Sequence, residues 1–217
     1  MKKFIQIDTF KDYLFDGMSI MVGGFMAVGT PEQLIDELVK LNVKDLTIIC
    51  NDAGFVDLGV GKLIANGQVS HLIASHIGLN PMAGEMMSTG KMKVTLVPQG
   101  TLAEKIRSGG AGLGGVLTPT GLRTVVEDGK QVISVEGKPY IVEPALRADL
   151  ALIYGYHVDK YGNVVYTKTT RNFNVLMATA TDTVICQARK MVDELNPDHI
   201  LTPHIFVDYV IEEVHHG

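Results

Sequence analysis

The chain has 217 residues, 46% hydrophobic and 20% charged, with a net charge of −5. That length and composition fit one or two well-cored domains burying about 70% of the surface an unfolded chain exposes. The acidic balance argues against general attraction to nucleic acid or anionic membrane, no apolar run nears the roughly 20 residues of a bilayer span, and the start Met1-Lys2-Lys3-Phe4-Ile5-Gln6-Ile7-Asp8 lacks the apolar stretch of a signal peptide.

Residues 9–15 read as a short helix with Phe10, Tyr13 and Leu14 on one side, ended by an Asp16-Gly17 turn. Ile20, Met21 and Val22 form an apolar run of the kind buried in a parallel sheet. After a glycine-bearing turn, Pro31 suits a first helical position, and Thr30 with Gln33 has capping-box spacing. Leu34, Ile35, Leu38, Val39 and Leu41 continue as one apolar stripe. Strand-like runs follow at 46–50, 69–75 and 94–97, and each ends in a polar or glycine-bearing loop. Strands alternating with helices predict an α/β fold: an open, mostly parallel sheet with helices on both faces. In such sheets ligands sit at the carboxyl ends of the strands, so the loops at 23–29, 51–54, 75–78 and 98–101 are expected to share one rim.

A helix over 101–107 leads into 108–115, which has five glycines in eight residues. This run is either a flexible linker or a loop making a close backbone approach to a ligand or partner. Residues 131–135 and 140–142 read as a hairpin outside the parallel sheet. Strands at 149–154, 164–166 and 183–186 and a small-residue helix over 175–180 complete the pattern. The tail 205–214 is apolar at every third or fourth position and suits a last helix or strand. Cys50 and Cys186 lie in apolar runs, as buried thiols of a reducing cytoplasm would.

The loop Gly23, Gly24, Phe25, Met26, Ala27, Val28, Gly29 carries the most chemistry. Glycines beside a helix N-terminus suit a phosphate or carboxylate. Gly24 and Gly29 have the outer spacing of a Walker A loop, but Thr30-Pro31 stands in place of its Lys-Ser/Thr, which removes support for triphosphate chemistry. A tight turn needing small residues explains the same glycines. Asn51, Asp52 and Gln99 fall where strands should end; they can bind a small substrate or merely satisfy turn backbone. His76 lies in a rim loop and His71 in a strand. Glu85, Glu104, Glu127 and Glu143 read as solvated surface residues, and Ser19, Ser75 and Ser108 lack a nucleophile-elbow context. No His, Cys, Asp and Glu grouping has metal-ligand spacing, and the terminal His215-His216 pair reads as tail.

Taken together, several stretches resemble one family. Asp16-Gly17-Met18-Ser19-Ile20-Met21-Val22-Gly23-Gly24-Phe25 followed by Gly29-Thr30-Pro31 looks like a signature of the class I (3-oxoacid) coenzyme A transferases. Asn51-Asp52-Ala53-Gly54, Val97-Pro98-Gln99-Gly100-Thr101-Leu102-Ala103-Glu104, Arg107-Ser108-Gly109-Gly110-Ala111-Gly112, Thr118-Pro119-Thr120-Gly121 and Arg171-Asn172-Phe173-Asn174 extend the likeness over nearly the whole chain. The resemblance implies one domain over 1–217, with an architecture shared broadly with sugar-phosphate isomerases. It is greatest to the α subunits that work with acetate or butyrate and acetoacetate.

The resemblance further implies a cytoplasmic enzyme moving CoA between short-chain acyl-CoA and carboxylates, with CoA as co-substrate, no tightly bound cofactor and no metal. A glutamate attacks the thioester, in a ping-pong route of covalent catalysis by a carboxylate. In the family that glutamate lies in a Ser-Glu-Asn-Gly motif of the β half, and no such motif occurs here. The implied partner is a β subunit of similar fold, in an α2β2 heterotetramer. By the same resemblance Gly23 to Gly29 is the CoA-associated loop, and Asn51, Asp52 and Gln99 line the substrate side of the cleft. The family often has a second asparagine where Asp52 stands. A sugar-phosphate-binding or isomerase-like module is the competing expectation, and a purely structural α/β protein the third.

Overall fold

A sheet of seven parallel strands forms the centre of the chain. The computed structural model describes residues 3–214; the terminal His215-His216 pair lies outside them. In chain order the elements are β1 (Ser19–Val22), α1 (Glu32–Leu41), β2 (Leu46–Ile49), α2 (Gly61–Ala65), β3 (Val69–Ala74), α3 (Pro81–Ser88), β4 (Lys93–Leu96) and α4 (Gln99–Gly110). Next come β5 (Gly115–Thr118), β6 (Val132–Val135), β7 (Lys138–Pro144), β8 (Ala148–Gly155), β9 (His157–Asp159) and β10 (Val164–Val165). The chain finishes with α5 (Asn174–Met177), β11 (Thr181–Ala188), β12 (Met191–Val192) and β13 (Tyr209–Glu212). The parallel sheet runs in the order β13-β11-β8-β1-β2-β3-β4.

Side chains along a strand alternate between faces, and both faces here are buried. Ile20 and Val22 of β1 pack with Leu34, Ile35 and Leu38 of α1 and Leu63 of α2, whereas Met21 packs on the opposite face with Leu102 and Ile106 of α4. Each such fully buried side chain contributes about 1.5–3 kcal/mol relative to exposure. The parallel sheet with helices on both faces is therefore what the strand–helix rhythm predicted. The hairpin outside it is also present: β6 and β7 pair antiparallel, with β5 on the other side of β7. The strand expected at 164–166 is present as β10, but it pairs antiparallel with β9 in a second small sheet, β10-β9-β12, whose other two- and three-residue strands carry no readable period.

Several local expectations are corrected. The first helix is a 3-10 segment, Ile7–Tyr13. The helix expected over 175–180 is only Asn174–Met177, since Thr179 N–H and Ala180 N–H bond back three residues and the chain turns at once into β11. The tail becomes strand β13 at the sheet edge. The Thr30–Gln33 capping box does not form: Pro31 is the N-cap residue. Gln33 instead exchanges two hydrogen bonds with the Val214 backbone at 2.7 and 3.0 Å.

Candidate active site

The strand order reverses between β1 and β8, the topological switch point where open α/β sheets form a crevice. The four rim loops expected from the sequence follow β1, β2, β3 and β4, adjacent strands whose carboxyl ends lie side by side. The loop after β1 is packed from below. A Cβ at Gly23 would overlap Asn174 Oδ1, and one at Gly24 would overlap Thr30 Oγ1. Asn174, fully buried, donates to the Gly29 and Thr170 carbonyls at 2.9 and 2.8 Å and accepts from Tyr154 N–H at 2.9 Å. Asn172 accepts from Gly24 N–H at 3.1 Å and donates to the Val28 carbonyl at 2.9 Å. These two asparagines staple the loop from about 145 residues away.

Above the staple, Phe25 and Val28 exchange backbone hydrogen bonds of 3.1 and 2.9 Å around Met26 and Ala27. Both central residues have positive φ, 48° and 63°, as a type I′ turn requires. The β6–β7 hairpin has the same two-residue form with Glu136-Gly137, where glycine takes one left-handed place without strain. The rim turn has no glycine at either place, and left-handed non-glycine residues cost about 1–2 kcal/mol each. Phe25, Met26 and Val28 nonetheless project into solvent, each 40–45% exposed.

Asp52 holds that turn. Its Oδ2 accepts from Met26 N–H at 2.8 Å, and its Oδ1 accepts from Gly54 N–H at 2.9 Å. Asn51 Nδ2 donates to the same Oδ2 at 2.8 Å, and Gln99 Nε2 donates to Asn51 Oδ1 at 2.7 Å. A single line thus runs from Gln99, exposed at the start of α4, through buried Asn51 and Asp52 to the rim turn. Ser75 fixes Asn51 from β3's end, donating to its carbonyl at 2.7 Å. The three polar candidates are brought together: the amides of Asn51 and Gln99 add no charge, and the Asp52 carboxylate is turned onto donors of the chain itself.

The α1 N-terminus does not offer its amides outward: Gln187 Oε1, from β11, accepts from Gln33 N–H at 3.0 Å and Leu34 N–H at 3.3 Å. That cap from 153 and 154 residues away left no local signal. His76 contributes its carbonyl to Ala53 N–H, whereas His71 is bonded to Thr95 Oγ1 at 2.8 Å, its pKa lowered by burial and by Lys93. Ser19 lies at the opposite end of β1, bonded to Asp149. Glu85 and Glu104 are exposed as expected, but Glu143 is not. It is completely buried on β7 and bonded to Lys105 at 2.8 Å and Lys130 at 2.5 Å. Burial pushes its pKa up, and the two ammonium groups more than offset this, holding it below the usual carboxylate range.

The glycine-rich stretch 108–115 is not a linker either. Its first three residues finish α4, where a Cβ on Gly109 or Gly110 would collide with Leu146 or Thr179, so the close approach is to the chain itself. Among the described residues no cluster of three His, Cys, Asp or Glu side chains could hold a metal, and no helix is long and apolar enough to cross a membrane.

The rim elements lie within a stretch, residues 5–213, that matches the family model for Coenzyme A transferase. The chain belongs to the coenzyme A transferase family. It is 52% identical over 211 residues to the acetate CoA-transferase subunit alpha of Escherichia coli (strain K12), with 96% of each chain covered. It is 49% identical over 213 residues to the acetoacetyl-CoA:acetate/butyrate CoA transferase alpha subunit of Clostridium acetobutylicum, covering 97% of this chain and 98% of that one. The fold is that of an acyl-CoA transferase from E. coli O157:H7 solved as a thioester complex with CoA. The TM-score is 0.84 at 21% identity, over 97% of this chain and 47% of that one. Glutaconate coenzyme A-transferase from Acidaminococcus fermentans gives a TM-score of 0.84 at 19% identity, over 97% of this chain and 75% of that one. This CoA-transferase chain thus spans about half the length of the first of those structures.

Proposed function

We propose that this chain is the α subunit of a heteromeric CoA-transferase that moves CoA between a short-chain acyl-CoA, such as acetyl- or butyryl-CoA, and acetoacetate or another short carboxylate. The nucleophilic glutamate belongs to a β subunit, in an α2β2 assembly. In the ping-pong route, the β-subunit glutamate attacks the thioester carbonyl, forming an acyl-glutamyl anhydride and releasing CoA thiolate. The thiolate attacks the glutamyl carbonyl, which gives a glutamyl-CoA thioester and frees the first carboxylate. The second acid then runs the same steps in reverse.

This chain's contribution is a wall of amides and backbone around the reacting carbonyl. The observation that carries the reading is the state of Asp52. It is the carboxylate at the centre of the rim, and both its oxygens are taken by donors of this chain, so it is not poised to attack. Gln99 and Asn51 can orient a carboxylate without a cation that would compete for the partner's glutamate. Gly23, Gly24, Phe25, Met26, Ala27, Val28 and Gly29 form the side against which CoA lies, with exposed apolar side chains facing its pantetheine arm. A sugar-phosphate module is disfavoured, because the loops 23–29, 51–54, 75–78 and 98–101 contain no lysine or arginine to meet a phosphate. Mixing the purified chain with its partner tests the reading. CoA exchange between acyl-CoA and acetoacetate is expected only from the mixture, and a mixture with no exchange contradicts the assignment.

A further inference from the structure

We infer that Asp52 is a positioning residue for the transfer reaction: as a carboxylate it clamps the strained Phe25–Val28 turn in the shape that receives acyl-CoA. The inference rests on the reading of residues 23–29 as a wall of the reacting site. Three donors converge on this one side chain: Met26 N–H and Asn51 Nδ2 on one oxygen, Gly54 N–H on the other. A carboxylate accepts at both oxygens, whereas an amide of the same shape has one acceptor and one donor group. Asparagine at 52 would therefore set its NH2 against Gly54 N–H, or against Met26 N–H and the Asn51 amide together.

The turn needs such a clamp because nothing in its own sequence favours it. Met26 and Ala27 both sit at positive φ, and their flanking side chains are in solvent rather than in a core. The clamp and the turn also join two strand ends, because Asp52 follows β2 and the turn follows β1. Through Asn51 the same carboxylate is tied to Gln99 at the head of α4. Releasing it lowers the population of the receptive turn, and apparent affinity for acyl-CoA falls by that fraction.

The experiment uses the enzyme assembled from this chain and its partner. It reads hydrogen exchange of the 23–29 segment by mass spectrometry alongside kcat/KM for each substrate. Asp52→Asn is expected to speed exchange in that segment about tenfold and to lower kcat/KM for acyl-CoA by about the same factor. The value for the acceptor acid, which meets an enzyme already holding CoA, should change less than about threefold. Ala27→Gly relieves one left-handed position, so it should recover activity in the Asp52→Asn background by a larger factor than any it gives in the native one. Ala27→Val should reproduce the Asp52→Asn loss with the carboxylate intact, which keeps the test open if Asp52→Asn does not fold.

Unchanged exchange in both Asp52→Asn and Ala27→Val would overturn the clamp. Faster exchange with unchanged kcat/KM for acyl-CoA would overturn the positioning role while leaving the α-subunit reading in place. A native assembly without transfer activity would overturn that reading and this role with it.

Discussion

Two carboxylates in this chain are held in opposite ways. At the rim, Asp52 is met by neutral N–H donors that fix backbone, and the shape it fixes is strained and partly exposed. On the small antiparallel sheet, Glu143, itself fully buried, is met by two ammonium groups that still reach water, and it pins β7 to α4 and to the segment before β6. The first arrangement spends stability on a defined surface, as functional sites do. The second joins two layers of the fold by charge. Under the function proposed above, an anionic acid and a partner's carboxylate meet at the rim, and the first kind of support suits it because lysines there would bind the acid and quench the nucleophile.

The difference is sharpest in substitutions that insert one atom or remove one charge. Gly23→Ala should have the largest effect. Its methyl would displace Asn174, which holds Gly29, Thr170 and Tyr154. A loss of about 3 kcal/mol or more is expected in urea unfolding, together with loss of transfer activity in the assembled enzyme. Wild-type stability with full activity would break the account of the staple.

Glu143→Gln should cost about 2–3 kcal/mol, toward the low side for a broken buried pair because both lysines reach water. The native chain's dependence on acid follows from the same group. Its folded pKa lies below its ordinary value of 4.5, so its stabilisation is complete above that value and is lost as pH falls through the folded pKa. Denaturation midpoints taken from pH 6 downward should therefore fall less steeply in Glu143→Gln. Some acid dependence should persist, because Asp149 is also lowered, chiefly by its hydrogen bond from Ser19. Parallel curves would contradict the ion triad.

Gln99→Ala should leave folding within about 1 kcal/mol, whereas Asn51→Ala, which orphans buried partners, should cost about 1–3 kcal/mol; each should lower kcat/KM by roughly 100–1,000-fold, the scale of a lost reaction-centre donor. Equal kcat/KM in native and both variants would remove the pair from the site.

What could be read beforehand was periodic or topological. The buried runs at β1, β2 and β3 and the alternation with helices placed the rim loops and, with them, Asn51, Asp52 and Gln99. The residues that build the rim's geometry were opaque for a different reason. Asn172, Asn174 and Gln187 act by side-chain bonds to backbone about 145–155 residues away, and no local pattern encodes such a pairing. Glu143 misled because its two partners lie 13 and 38 residues away, Lys130 in a loop and Lys105 on α4. The Thr30–Gln33 capping signal was present and was overridden by Gln187, an instance of tertiary contacts outcompeting a local motif.

Reductive trapping during turnover speaks most directly to the division of labour proposed for the rim. With acyl-CoA present, borohydride should reduce the glutamyl-CoA thioester, and peptide mapping of the assembled enzyme should find the modified glutamate in the partner subunit, with every carboxylate of this chain intact. A reduced glutamate or aspartate in this chain would contradict the account at its root.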